Sequence, residues 1–218
     1  MENSPETPEL FALPECLPLM VLSDCYLFPG CLLPLFIFEE RYRLMLLEAL
    51  RSTRMFCIGL RSPSHPSGIL PYSTAGMIRA CRKQPDGTSH LMLYGVQRVQ
   101  FTGFSHDKPY VVANVAPVPT LPADPESLSA LQSLALASLP QQKPACAEMI
   151  RTLRDKLIAM EDPAKVCDIL TFQFVRRKEA LDMLLAETCP ITRYEILINE
   201  LRRPPGVEPD FDDDDCSS

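Results

Sequence analysis

The chain has 218 residues, 46% of them hydrophobic and 22% charged, with a net charge of −7 at pH 7. That is enough apolar material for a folded core and enough length for one large domain or two modest ones. No run approaches the ~18 consecutive apolar residues of a membrane span, and the opening MENSPETPELFALPE has neither the basic start nor the apolar centre of a secretory signal, so the cytoplasm is the expected compartment.

Residues 1–12 are polar and proline-containing and are expected to be a flexible lead-in. From residue 13 to 118 short apolar runs alternate with turn residues. Leu17–Leu22, Leu32–Ile37, Met55–Leu60, Met77–Arg82, His90–Val96, Val99–Phe104 and Tyr110–Ala116 read as strands. Phe28-Pro29-Gly30 is a turn whose glycine is expected at positive φ. One helix interrupts the strands near Glu39 to Leu50, with Tyr42, Met45, Leu46 and Ala49 as its apolar stripe. Pro85-Asp86-Gly87-Thr88 is a hairpin turn. In the strand that follows it, His90, Met92 and Tyr94 face one side and Leu91, Leu93 and Gly95 the other. Bulk on both faces suggests a strand covered on both sides or closed into a barrel. Short strands with one helix point to a small β-barrel domain rather than a parallel α/β sheet.

The segment 119–125 is a proline-rich linker. Residues 126–203 then read as a helical bundle: Glu126–Leu139, Pro144–Met160, a helix opened by Asp162-Pro163 and running to Phe174, Arg176–Thr188, and a last helix with a Thr192–Glu195 capping box. The fold class is therefore α+β. Residues 204–218 hold six acidic side chains and no basic one, and are expected to be a disordered acidic tail. Without them the chain is nearly neutral, with 22 acidic and 21 basic side chains. That leaves no basic stripe for a nucleic-acid backbone, whose binding depends on clustered Lys and Arg.

Nine cysteines occur with irregular spacing and no CxxC pair, so they read as free thiols behaving as small apolar residues. A zinc site needs four converging ligands, and only His65, His90 and His106 are on hand to help. No glycine is followed by lysine, so no phosphate-binding loop is present, and neither GxSxG nor HExxH occurs. His65 and His106 fall in turn-rich loops and His90 at a strand end, all surface positions. No catalytic residue, cofactor site or metal site is assigned.

The motifs L17-P18-L19, L27-F28-P29-G30, L33-P34-L35, I37-F38-E39-x-R41-Y42 and Y94-G95-V96-Q97-R98-V99 occur in that order. Together they resemble the N-terminal substrate-binding domain of Lon proteases. Gly76-Met77-Ile78 with the Pro85–Thr88 turn resembles that family's strand–hairpin element. DILTFQF, LDMLLAET and RYEILINEL resemble the helices after it, so the likeness covers about residues 13–202. It implies a PUA-like small β-barrel followed by a helical bundle, and a non-enzymatic module that binds exposed apolar segments of unfolded or client proteins. Such a module would act alone or as an adaptor to a protease or chaperone. Phe28, Phe36 and Phe38 are the candidate peptide-binding residues, although phenylalanines beside strands more commonly enter the core. The runner-up is a small-molecule or RNA-binding PUA-like module, since a fold does not fix a function.

Overall fold

The computed structural model describes residues 13–139 and 144–203. The expectations of a flexible lead-in at 1–12 and a disordered tail at 204–218 lie outside the described residues. The elements run β1 (Cys16–Leu22), β2 (Leu32–Ile37), α1 (Glu40–Arg51), β3 (Met55–Leu60), β4 (Tyr72–Lys83), β5 (Ser89–Ser105) and β6 (Val111–Pro117). Five helices follow: α2 (Pro125–Ala137), α3 (Pro144–Ile158), α4 (Pro163–Phe174), α5 (Lys178–Ala186) and α6 (Pro190–Arg202). The fold is mixed α+β.

The strands form one sheet in the order β2-β5-β4-β3-β1-β6, and β6 pairs again with β5, so the hydrogen-bonded ladder returns on itself. Only β1 and β3 are parallel, and the crossover between them consists of β2 and α1. Where the sequence suggests two strands, 90–96 and 99–104, a single strand runs through. Ala75 pairs with Gln97 and Gly76 with Gly95, leaving Val96 as an extra residue in β5. Such a bulge bends a strand without ending it. The first half of β5 can therefore pair with β2 and β4, and the second half with β4 and β6. The polar start of β4 escapes an apolar-run reading, yet Ser73 and Thr74 are buried there opposite Val99 and Arg98.

Inside the sheet, Leu17, Leu19, Cys57, Val99, Phe101 and Ala113 form one apolar cluster. On its other side α1 lays down Tyr42, Met45, Leu46 and Ala49, the stripe read from the sequence, against Ile58, Ile78, Leu91 and Leu93. β5 is thus covered unevenly: Leu91, Leu93 and Gly95 are buried, Met92 and Tyr94 only half-buried, and His90 exposed. The helices share a third cluster with Phe28, Cys31 and Leu60 from the strand half.

The helix starts follow simple chemistry at two positions, Asp162 as expected and Asp124 one residue ahead of a helix that begins at Pro125 rather than Glu126. Asp162 accepts from the backbone N–H of Ala164 at 3.0 Å, and Asp124 from that of Ser127 at 2.8 Å, each ahead of a proline in the first turn. The Thr192–Glu195 capping box is corrected: α6 begins at Pro190 with Cys189 at the N-cap, so Thr192 already lies inside the helix. A proline suits a first turn that needs no N–H, and it moves the start upstream.

Two backbone features fix the β1–β2 connection. Gly30 has φ 79°, as the Phe-Pro-Gly turn requires. Its N–H donates to the Gly95 carbonyl at 2.9 Å, while the Gly95 N–H donates to the Cys31 carbonyl at 2.9 Å. Any β-carbon on Gly95 would overlap the Phe28 carbonyl group.

A buried charge cluster joins the two halves. Asp168 of α4 accepts from Arg98 of β5 at 2.7 and 2.6 Å and from Arg193 of α6 at 3.0 Å. Arg98 also donates to the carbonyls of Leu184 and Leu185 in α5. Arg193 reaches Thr120 in the connecting segment at 3.2 Å. All three charged side chains are buried. Pairing of that kind offsets the several kcal/mol that each desolvated ion would otherwise cost.

Candidate functional site

The structure separates the three candidate phenylalanines. Phe28 is fully buried in the helix-side cluster, with the Arg98 guanidinium 5.9 Å from its ring centroid. As a surface contact it is therefore withdrawn: the turn that ends at Gly30 directs it into the core. Phe36 is 50% exposed and Phe38 is 61% exposed. Their ring centroids stand 5.9 Å apart in a stacked arrangement, and Phe36 lies 4.7 Å from the ring of His90.

Strand periodicity explains this split within β2. Leu33 and Ile37 point into the core beneath α1, so Leu32, Pro34 and Phe36 must face outward. β2 stands at the end of the strand order and pairs only with β5, placing Phe36 opposite His90 and Ile37 opposite Ser89. Pro34 lacks an N–H, which blunts the edge against pairing with a further strand. Recognition there must come from side chains more than from backbone.

α1 continues the apolar surface. Its buried stripe takes Met45, Leu46 and Ala49, while Leu44 and Leu47, 42% and 44% exposed, extend the other way. Phe38, Leu44, Leu47 and Leu50 line a groove of about 570 Å³ between α1 and the β4–β5 hairpin, whose far wall includes Cys81 and Lys83. A second groove of about 470 Å³ adjoins it across Cys81, lined by Pro34, Leu35, Phe36, Leu91 and Met92. The two hollows flank the stacked Phe36 and Phe38.

The rim carries charge. Arg43, Lys83 and Glu40 border the first groove, and Arg82 and His90 the second. The Arg43 guanidinium lies over Gly87 at the hairpin tip, which sits at φ 85° and has no side chain to block it. Asp86 beside it accepts from the N–H and hydroxyl of Thr88, bonds that hold its carboxyl below the usual carboxylate range. The arrangement offers apolar contact with a predominantly basic border.

Sequence reasoning missed Leu44, Leu47, Cys81, Arg43 and Lys83. The signal for the first two was present: leucines three apart on α1, outside its core stripe, give the helix a second apolar face. Cys81 and Lys83 depend on the β4–β5 register and could not be read locally. Among the described residues, Cys31, Cys57 and Cys167 are buried free thiols and Cys16 an exposed one. Burial pushes Cys31 up to about 12, so it packs as an inert apolar residue. No group of three or more potential ligands that could hold a metal ion occurs among the described residues, and no described helix is long and apolar enough to cross a membrane.

Comparison with known proteins gives a consistent result. The family model for the ATP-dependent protease La (LON) substrate-binding domain matches residues 16–203. A Lon protease of Desulfosudis oleivorans is 30% identical over 126 residues, covering 52% of this chain and 15% of that protein. A Lon protease of Desulfovibrio desulfuricans is 23% identical over 205 residues, covering 88% of this chain and 22% of that protein. The chain thus spans a minor part of the length of these relatives. Among solved structures, the N-terminal domain of Mycobacterium avium complex Lon protease superposes with a TM-score of 0.69 at 17% identity, over 85% of this chain and 97% of that one. A Lon N-terminal domain protein from Xanthomonas campestris gives 0.62 at 22% identity, over 84% and 97%. These likenesses establish the fold.

Proposed function

The chain belongs to the LON substrate-binding domain family, and from that premise we propose that it binds extended apolar segments of unfolded or client proteins at the Phe36–Phe38 surface, without catalysis of its own. The observation that carries this reading is the contiguous exposure of Phe36, Phe38, Leu44 and Leu47 around two adjoining grooves. Apolar surface of this kind commonly marks an interaction site. An unfolded segment pays to become ordered, so each contact is weak and many sequences are accepted.

In this reading the self-returning sheet of residues 13–118 is a PUA-like barrel, and 126–203 is a helical unit joined to it by the proline-rich 119–125. The shared cluster around Phe28 and the Arg98–Asp168–Arg193 network support treating both as one rigid holder for the client surface. Partners are client polypeptides together with a protease or chaperone to which they are passed. The cytoplasm, where unfolded chains and Lon-type proteases meet, is the proposed location.

A peptide array of unfolded-protein segments tests the reading. Binding is expected to follow Leu, Phe, Ile and Val content in extended peptides. Silence on all apolar peptides, with tight binding of a metabolite or an RNA instead, would overturn it.

A further inference from the structure

We propose that the acidic segment Glu208–Asp215 of this same chain docks on the Phe36–Phe38–Leu44 surface and competes with clients for it. The competition rests on the client-binding reading; the docking itself does not.

Charge and composition match on the two sides. Residues 204–218 carry six acids and no base, and a single aromatic residue, Phe211, sits within the run EPDFDDDD. The surface presents apolar hollows bordered by Arg43, Arg82 and Lys83 against one lining acid, Glu40. All three cations are exposed, and none forms an ion pair among the described residues. Asp86, the other acid near Arg43, accepts from Thr88 and stays ionised beside it, leaving three cations against two acids at the border. A phenylalanine flanked by aspartates therefore fits an apolar groove whose border is net positive, whereas a basic peptide would meet repulsion.

A run of contacts links the end of α6 to the start of β2. In the last turn of α6, Glu200 pairs with Arg177 at 2.7 Å. The next residue, Lys178, pairs with Asp24. Lys178, Asp24 and Leu33 of β2 line one hollow of about 260 Å³. Glu200, Arg177, Lys178, Asp24 and Leu33 thus follow one another from the last turn of α6 to β2. From Leu33 to Phe38 the strand covers roughly 17 Å, which adds to the stretch from Arg203 to Leu33. The eight residues from Arg203 to Phe211 extend to roughly 28 Å, and the twelve to Asp215 to roughly 42 Å.

A tether of this length gives an effective concentration on the order of 1 mM. Docking with an intrinsic Kd near 100 µM would then weaken client binding about tenfold. The attraction between exposed charges fades as salt shortens the screening length.

The test uses the full chain and its E208Q/D210N/D212N/D213N/D214N/D215N variant. Amide NMR spectra of the two should differ at Ile37, Phe38, Leu44 and Leu47, and a synthetic peptide of residues 204–218 added to the variant should restore the parent positions. The same peptide should fail to do so when R43E and K83E are also present. A fluorescein-labelled neutral peptide rich in Leu and Phe should bind the variant about tenfold more tightly than the parent at low salt, with the gap closing near 0.5 M salt. Identical spectra at these amides overturn the docking, whatever the labelled peptide does. Shifted spectra with a labelled peptide that binds neither chain support the docking and sink the client reading alone. Shifted spectra with equal, measurable affinities overturn the competition.

Discussion

Gly30 and Gly95 hold each other in place: the N–H of Gly30 donates to the carbonyl of Gly95 at 2.9 Å, across 65 positions of sequence. The two glycines are needed for different reasons. Gly30 has open space around it but a φ of 79° that side chains rarely adopt. Gly95 lies so close to the Phe28 carbonyl that no side chain fits.

This distinction orders two substitutions. Gly30→Val meets backbone strain alone and should cost about 1–3 kcal/mol. Gly95→Ala drives a methyl into backbone that cannot rotate away, and its cost should reach or exceed the upper end of the 1–3 kcal/mol typical of overpacking. Urea denaturation of both variants checks the order; a more stable Gly95→Ala than Gly30→Val would contradict it.

The second prediction concerns Asp168, which serves two buried guanidinium groups. Asp168→Asn keeps the shape and removes the one counter-charge that Arg98 and Arg193 share among the described residues. The loss should be about 3–5 kcal/mol, the range for breaking a buried pair from one side. Arg193 Nε already lacks a hydrogen-bond partner, so its guanidinium has little hydrogen bonding left to lose before the charge stands unsatisfied. Equal stability of the variant and parent in denaturant titration would show that the network is dispensable.

Acid sensitivity can be traced partly to Glu200. Hydrogen bonds from the Arg177 guanidinium hold its carboxyl below the ordinary 4.5. A carboxylate with a lowered folded pKa stabilises the fold fully above its unfolded value and loses that contribution as pH falls through the folded one. Glu200→Gln should therefore lower stability at pH 7, by an amount that shrinks as pH falls below the ordinary 4.5 and through the lowered folded value. Melting curves taken from pH 7 downward measure this; a difference that does not shrink as pH falls would point to another cause.

Phe28 and the Phe36–Phe38 pair should respond in opposite ways. Phe28→Ala empties a core position and should cost about 3–5 kcal/mol. Phe36→Ser and Phe38→Ser act on exposed rings and should alter stability by only about 0.5 kcal/mol. Each should nonetheless weaken binding of a Leu/Phe-rich peptide about tenfold, as loss of a contact worth over 1 kcal/mol does. Unchanged peptide affinity in the Phe36→Ser/Phe38→Ser double variant would remove the surface from consideration.

Local patterns were enough to place most elements. The α1 stripe, the Asp162-Pro163 helix start and the Pro85–Thr88 hairpin are each specified by neighbours within a few residues, so sequence and structure agree on them. Disagreement arises where partners are remote. The long β5 persists because a bulge at Val96 lets it bend while still paired to β4, a matter of pairing rather than propensity. The α6 start moves to Pro190, away from the capping-box pattern at Thr192.

What the sequence determined by itself was the alternation of strands and helices, the family likeness carried by FPG, LPLFIFE and YGVQRV, and the need for glycine at position 30. Which phenylalanines face water was decided only by the tertiary structure. Phe28, Phe36 and Phe38 sit in equally apolar surroundings along the chain, and nothing local distinguishes them. The turn locked by Gly95 turns Phe28 inward, while the β2–β5 register and the packing of α1 over Leu33 and Ile37 leave Phe36 and Phe38 outside. Burial depends on which distant surfaces meet, and that information resides in long-range pairing, not in any short stretch of residues.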